Sequence, residues 1–146
     1  MEVSQLIPVI IVDDISKAIS FYSKLGFSEE KEYTFADETG RVVHAQLRKA
    51  NSVLFLGRRD VSYYEGERAD RVKTANPSER GLGVTFILQT DDLEGLVKLV
   101  QAEGLDVLYG PADEWYGDKV FLFLDPFGYE WKASQPHESA KQAKNS

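Results

Sequence analysis

A chain of 146 residues is long enough for one ordinary domain that buries about two thirds of the apolar surface its unfolded form exposes. Its 42% apolar and 28% charged composition excludes wholesale disorder, and the lack of any cysteine excludes disulfides, thiolate metal sites and thiol catalysis. The formal net charge of −7 disfavours nucleic acid and anionic membranes as partners; it suits a cationic ligand, and also serves solubility.

The first element is a strand-like run from Leu6 to Val12. No basic stretch followed by an apolar one precedes it, and no run approaches the roughly 18 apolar residues of a membrane span, so a cytoplasmic location is expected. A helix follows. Ile15, Ala18, Ile19, Tyr22 and Leu25 recur at the spacing that makes one apolar stripe, with Lys17, Ser20 and Lys24 outside it. Asp13 or Asp14 caps its start and Gly26 ends it. Strand-like runs then cover Ser28–Phe35, Arg41–Arg48 and Val53–Arg58, separated by Asp37-Glu38-Thr39-Gly40 and Ala50-Asn51-Ser52. The charged, aperiodic stretch Arg59–Gly81 reads as a long connection with a short helix near Glu65–Lys73.

The plan then recurs. Val84–Thr90 is strand-like, Leu93, Leu96, Val97 and Val100 form a second helical stripe, Asp91 or Asp92 caps it, and Gly104 stops it. Asp14 to Asp92 and Gly26 to Gly104 are the same step of 78 residues. Strand-like runs at Asp106–Tyr109, Lys119–Leu124 and Tyr129–Ser134 follow, the last two divided by the turn Asp125-Pro126-Phe127-Gly128. The expectation is an α+β fold of two tandem βαβββ modules. One domain spans 1–135, with module one at 5–58, a connecting loop at 59–82 and module two at 83–135; the aperiodic tail 136–146 is expected to be disordered.

The opening Ile7-Pro8-Val9-Ile10-Ile11-Val12-Asp13-Asp14, the helix segment Ala18-Ile19-Ser20-Phe21-Tyr22-Ser23-Lys24-Leu25-Gly26-Phe27, and the closing Phe123-Leu124-Asp125-Pro126-Phe127-Gly128-Tyr129-Glu130-Trp131 come in one order. Together they resemble the glyoxalase/bleomycin resistance/dioxygenase (vicinal oxygen chelate) superfamily, and most of all its bleomycin-resistance-like branch. The resemblance implies a curved, cup-like mixed sheet with helices on its convex side, and commonly a homodimer. Metal-dependent members draw four ligands from His, Gln and Glu on the first and last strand of each module. The matching positions here are Ile7, Phe55, Val84 or Thr85, and Lys132, none of which is an ordinary metal ligand. A two-residue slip admits only Gln5 and Glu130. No metal and no cofactor are therefore expected.

Alternation in Val43-His44-Ala45-Gln46-Leu47-Arg48 places Val43, Ala45 and Leu47 under the helix and His44, Gln46 and Arg48 on the opposite side. There they meet ligand or are simply solvated. The expected ligand-binding set is His44, Gln46, Phe55, Trp115, Tyr116, Asp118, Phe121, Phe123 and Glu130, with Tyr33 and Phe35 facing the same space and Trp131 in the core. Trp115, in the loop before the seventh strand, is expected to pack on a ligand, on another subunit or on its own core. An aromatic-walled cup suits a flat or cationic small molecule. The function so indicated is metal-free sequestration of such a compound. The alternative is a lyase, isomerase or dioxygenase of the same superfamily, with His44 as general base beside Glu130 or Asp118.

Overall fold

A computed structural model describes residues 1–60, 66–74 and 79–136, with only the backbone of Lys73 and Thr74. The expected tail beyond Pro136 lies outside the described residues. Three α-helices and nine strands are present among them. The chain divides into two compact units, Met1–Asn76 and Pro77–Ser146.

In the first unit the elements are β1 (Val9–Val12), α1 (Ile15–Lys24), β2 (Ser28–Glu29), β3 (Phe35–Ala36), β4 (Val42–Lys49), β5 (Ser52–Arg58) and α2 (Gly66–Thr74). The helix α1 starts where expected: the Lys17 amide donates to the Asp14 carboxyl at 3.1 Å, satisfying one of the free N–H groups of the first turn. It ends before Gly26, whose φ of +96° is a conformation that side chains resist. The buried side chains of α1 are Ile15, Ala18, Phe21 and Tyr22, so Phe21 belongs with the apolar stripe. The sheet order is β1-β5-β4-β2, with β3 also on β4; β1 runs parallel to β5 and the other pairs are antiparallel.

Two strands are shorter than the sequence suggests. Leu6 is exposed and pairing begins at Val9. The run Ser28–Phe35 is broken in the middle, because Glu30, Lys31 and Glu32 have no apolar alternation to hold them flat. The Tyr33 amide instead donates to the Glu30 carbonyl and the Thr34 amide to the Lys31 carbonyl, closing a 3-10 turn over Lys31–Tyr33. Inside the expected connecting loop, α2 packs Ala69 and Val72 against Ile11 and Val43.

The second unit repeats the plan with β6 (Thr85–Gln89), α3 (Leu93–Ala102), β7 (Val107–Asp113), β8 (Asp118–Leu124) and β9 (Glu130–Pro136). Its order β6-β9-β8-β7, with β6 parallel to β9, is the first unit's order with one strand for each. Asp92 caps α3 by accepting from the Gly95 amide at 2.9 Å, and Gly104 takes a φ of +66° after its last turn. β9 runs on to Pro136, which pairs with Asp118 and so belongs to the sheet.

Gly110 lies where β7 shifts register against β8. At its φ of +83° a Cβ would sit 2.6 Å from the Val120 carbonyl oxygen and 3.0 Å from the Ala112 amide nitrogen, both backbone atoms that cannot swing aside. Gly104 has a similar φ but open space around it. Gly110→Ala is therefore expected to cost about 3 kcal/mol and Gly104→Ala about 1 kcal/mol. Chemical denaturation of the two variants side by side checks the ranking; equal losses would contradict it.

Candidate functional site

Cross-strand register decides which side chains share a face. In the first unit Ala45 pairs with Leu56 and Leu47 with Leu54, and all four are buried. That is the side on which α1 lies, since α1 contacts both β4 and β5. The neighbouring pairs, His44 with Gly57 and Gln46 with Phe55, point the other way, and Val9 of β1 pairs with Phe55 from the far side. This face, turned away from α1 and met at its Ile11 end by α2, collects His44 and Gln46 as alternation predicts, together with Phe55 and Phe35, which were also expected there, and Glu30, which was not.

His44 is held among rings. Phe35 stacks on it with centroids 5.9 Å apart and planes 28° apart, and Phe55 meets it edge-on at 5.0 Å. Phe35 keeps 54% of its surface exposed. Among the described residues no hydrogen bond reaches the imidazole. Burial among these rings holds its pKa below the ordinary value of 6.5, because little water remains to solvate the charged form. The imidazole is thus neutral at pH 7. The folded group binds its proton less tightly than the unfolded one. Its share of stability is present above the unfolded value and is lost as pH falls through the folded value. An NMR titration of His44 should give a midpoint below 6.5; a midpoint above it would contradict this account of the site.

Beside His44 a polar network closes the row. The Gln46 amide Nε2 donates to Glu30 Oε1 at 3.1 Å, and Arg48 Nε donates to the same oxygen at 2.8 Å. The Gln46 bond, with Arg48 beside it, holds the Glu30 carboxyl below its usual range. Glu30 had no signal in sequence: its part depends on β2 pairing with β4, 16 and 18 residues away.

In the second unit the same logic places two residues of the expected set on the core side. Phe121 pairs with Ala133 and Phe123 with Trp131, and all four are buried. They form the core side with Leu93, Leu96 and Val100 of α3, which contacts β8 and β9. Phe121 and Phe123 are fully buried and stack on each other at 5.8 Å. The opposite side carries Leu122 and Leu124 opposite Lys132 and Glu130, and Ile87 of β6, which is 62% exposed.

The remaining expected residues fall at the β7–β8 hairpin and on this side. Trp115 and Tyr116 sit at the tip of the hairpin, where the Gly117 amide donates to the Glu114 carbonyl. Trp115 is 93% exposed, so packing on its own core is excluded; its ring meets that of Tyr116 edge-on, with centroids 5.4 Å apart. The Lys132 ammonium donates to the Tyr116 hydroxyl at 3.3 Å and lies 5.8 Å from the centre of its ring. Asp118 is the first residue of β8 rather than a loop residue, and accepts from the Ser134 hydroxyl at 3.0 Å. Glu130 accepts from the Thr85 hydroxyl at 2.7 Å.

The positions that hold metal in metal-dependent relatives do not fit a cation here. The Phe55 ring packs on His44, the Thr85 hydroxyl is given to Glu130, the Lys132 group is itself a cation, and Ile7 is hydrocarbon. Among the described residues no three His, Asp or Glu side chains converge as a metal-binding group. None of the described helices is long and apolar enough to cross a membrane.

Two units, each a mixed sheet whose first strand runs parallel beside its last, with one capped helix on it, define the class of small α+β proteins built from a repeated βαβββ module. The sequence model of the Glyoxalase/Bleomycin resistance protein/Dioxygenase superfamily matches residues 5–133, and the chain belongs to that family. Uncharacterised proteins of Mycobacterium bovis and Mycobacterium tuberculosis are 30% identical to it over 132 residues, 90% of this chain and 82% and 74% of theirs. TioX from Micromonospora sp. ML1 superposes with a TM-score of 0.66 at 18% identity, covering 91% of this chain and 98% of TioX. A bleomycin-binding protein complexed with bleomycin superposes with a TM-score of 0.56 at 17% identity, covering 92% and 100%. At these identities the two structures share the fold with this chain.

Proposed function

We propose that this protein binds and sequesters a small aromatic or cationic compound without a metal ion. The observation that carries the reading is the face of the first unit turned away from α1, where Phe55, at a position matching a metal ligand of metal-dependent relatives, packs its ring on His44, and Phe35 stacks on the same imidazole. A face of rings edged by a few polar groups recognises flat molecules by stacking and hydrogen bonding. The exposed Trp115-Tyr116 tip offers a second aromatic surface, and the net charge of −7 draws cations toward the molecule. The bleomycin-binding relative of the same fold supports the reading, as does its bound drug. Without a fitted metal, the polarising or oxygen-activating role of the ion in superfamily enzymes has no counterpart. A homodimer, common among the proteins this chain resembles, is part of the reading, and sedimentation at several concentrations tests it.

The test is calorimetric titration of chelator-treated protein with bleomycin, mitomycin C and ethidium, followed in parallel by tryptophan fluorescence. Saturable binding of at least one, unchanged by the chelator, is expected. Silence across all three, or binding that returns only with added zinc, nickel or iron, would overturn the reading.

A further inference from the structure

We propose that His44 is the polar reader of the first unit's ring face, and that the ligand it selects is a flat, uncharged ring carrying an O–H or N–H donor on its edge. This rests on the reading of that face as a ligand site and adds the chemistry of the ligand's edge.

The argument starts from what His44 has left to offer. Phe35 covers one face of the imidazole and Phe55 presses its ring edge-on against it. An incoming ring therefore finds the outer face of Phe35 free for stacking, but the imidazole available chiefly through its nitrogens. Neutral imidazole presents one lone pair and one N–H. Neither has a partner among the described residues, although the side chain is half-buried. Two positions on, about 7 Å along the same strand face, stands Gln46. Its Nε2 is committed to Glu30, which fixes the amide and leaves Oε1 without a partner among the described residues. Arg48 uses its Nε on the same Glu30 oxygen, so the two charges compensate each other where they meet.

The row thus presents two acceptors, an imidazole nitrogen and an amide oxygen, and one donor, the imidazole N–H, along a wall of rings with no net charge. A bare hydrocarbon ring seated there would take water from both and return nothing. A ring with a hydroxyl or amino group would satisfy at least one of them. A fully cationic edge gains less, because it finds no uncompensated negative charge along the row.

The experiment uses two neutral probes that differ by one donor, 2-naphthol and 2-methoxynaphthalene. Both are titrated into the full chain carrying His137→Gln, which leaves His44 as the one histidine. Affinity and the ¹⁵N signals of the imidazole are read together. The expected result is that 2-naphthol binds about fivefold tighter or better, as one added hydrogen bond implies. The signal of the imidazole's acceptor nitrogen should move with the naphthol and stay still with the ether, which has no donor to offer it. His44→Phe, which keeps a ring in place, should bind both probes alike. Should that variant fail to fold, the two probes on the His44 protein decide the matter alone. Equal binding of both with a silent imidazole overturns this inference and leaves the ring site standing. Failure of both probes to bind at millimolar concentration overturns the ring site and the inference with it.

Discussion

Asp125→Ala is expected to lower unfolding free energy by about 4 kcal/mol. Asp125 is a buried carboxyl in the Asp-Pro-Phe-Gly turn between β8 and β9. Its Oδ1 accepts from the amides of Phe127 and Tyr129, each at 2.9 Å, and its Oδ2 accepts from the Trp131 indole at 2.9 Å. One side chain therefore shapes the turn and at the same time satisfies the polar atom of the largest ring in the second unit's core. Alanine would take these carboxylate acceptors from the buried Trp131 N–H and Tyr129 amide, at about 1 to 3 kcal/mol each, and remove the ties that shape the turn besides. The Phe127 amide is less enclosed and can recover water. Asp125→Asn keeps one acceptor oxygen and should lose roughly half as much. Denaturant unfolding followed by Trp131 fluorescence measures both; a loss below about 1 kcal/mol for the alanine variant would show that the turn holds itself.

Phe121→Ala is the second large effect, expected at about 3 to 5 kcal/mol because it opens a cavity between β8 and α3. The ring is fully buried, stacked on Phe123 and paired with Ala133. Phe121→Leu should cost far less, about 1 kcal/mol, since most of the volume is kept. The variant also separates two roles that sequence reasoning joined. A core residue loses stability on truncation and, while the protein stays folded, leaves probe binding at the His44 face intact. A ligand-lining residue would do the reverse. Denaturation and 2-naphthol titration on the same sample distinguish them.

The difference between Phe121 and His44 explains what the sequence can and cannot reveal. Around His44 polar and apolar residues alternate, so the side of each is legible from period alone. Val120 to Leu124 are five apolar residues in a row, and alternation carries no information there. The answer lies in the register: Phe123 pairs with Trp131, so a tryptophan assigned to the core takes both phenylalanines with it. The helix ends were legible because a cap and a glycine are local chemistry, and Asp14, Asp92, Gly26 and Gly104 act where their sequence neighbours say they should. The charged break after Glu29 was visible as composition but not as a 3-10 turn. Glu30 could not be found at all without knowing which strand β2 pairs with.

The claim on which the rest depends is that the first unit's face turned away from α1 takes a small molecule with no metal ion. NMR shift mapping of chelator-treated protein during addition of 2-naphthol tests it most directly. Saturable changes should appear at His44, Gln46 and Phe55, while Phe121 and Phe123 in the other unit's core stay unmoved. Saturation with those three signals unchanged, or changes that appear only once a transition metal is restored, would contradict it.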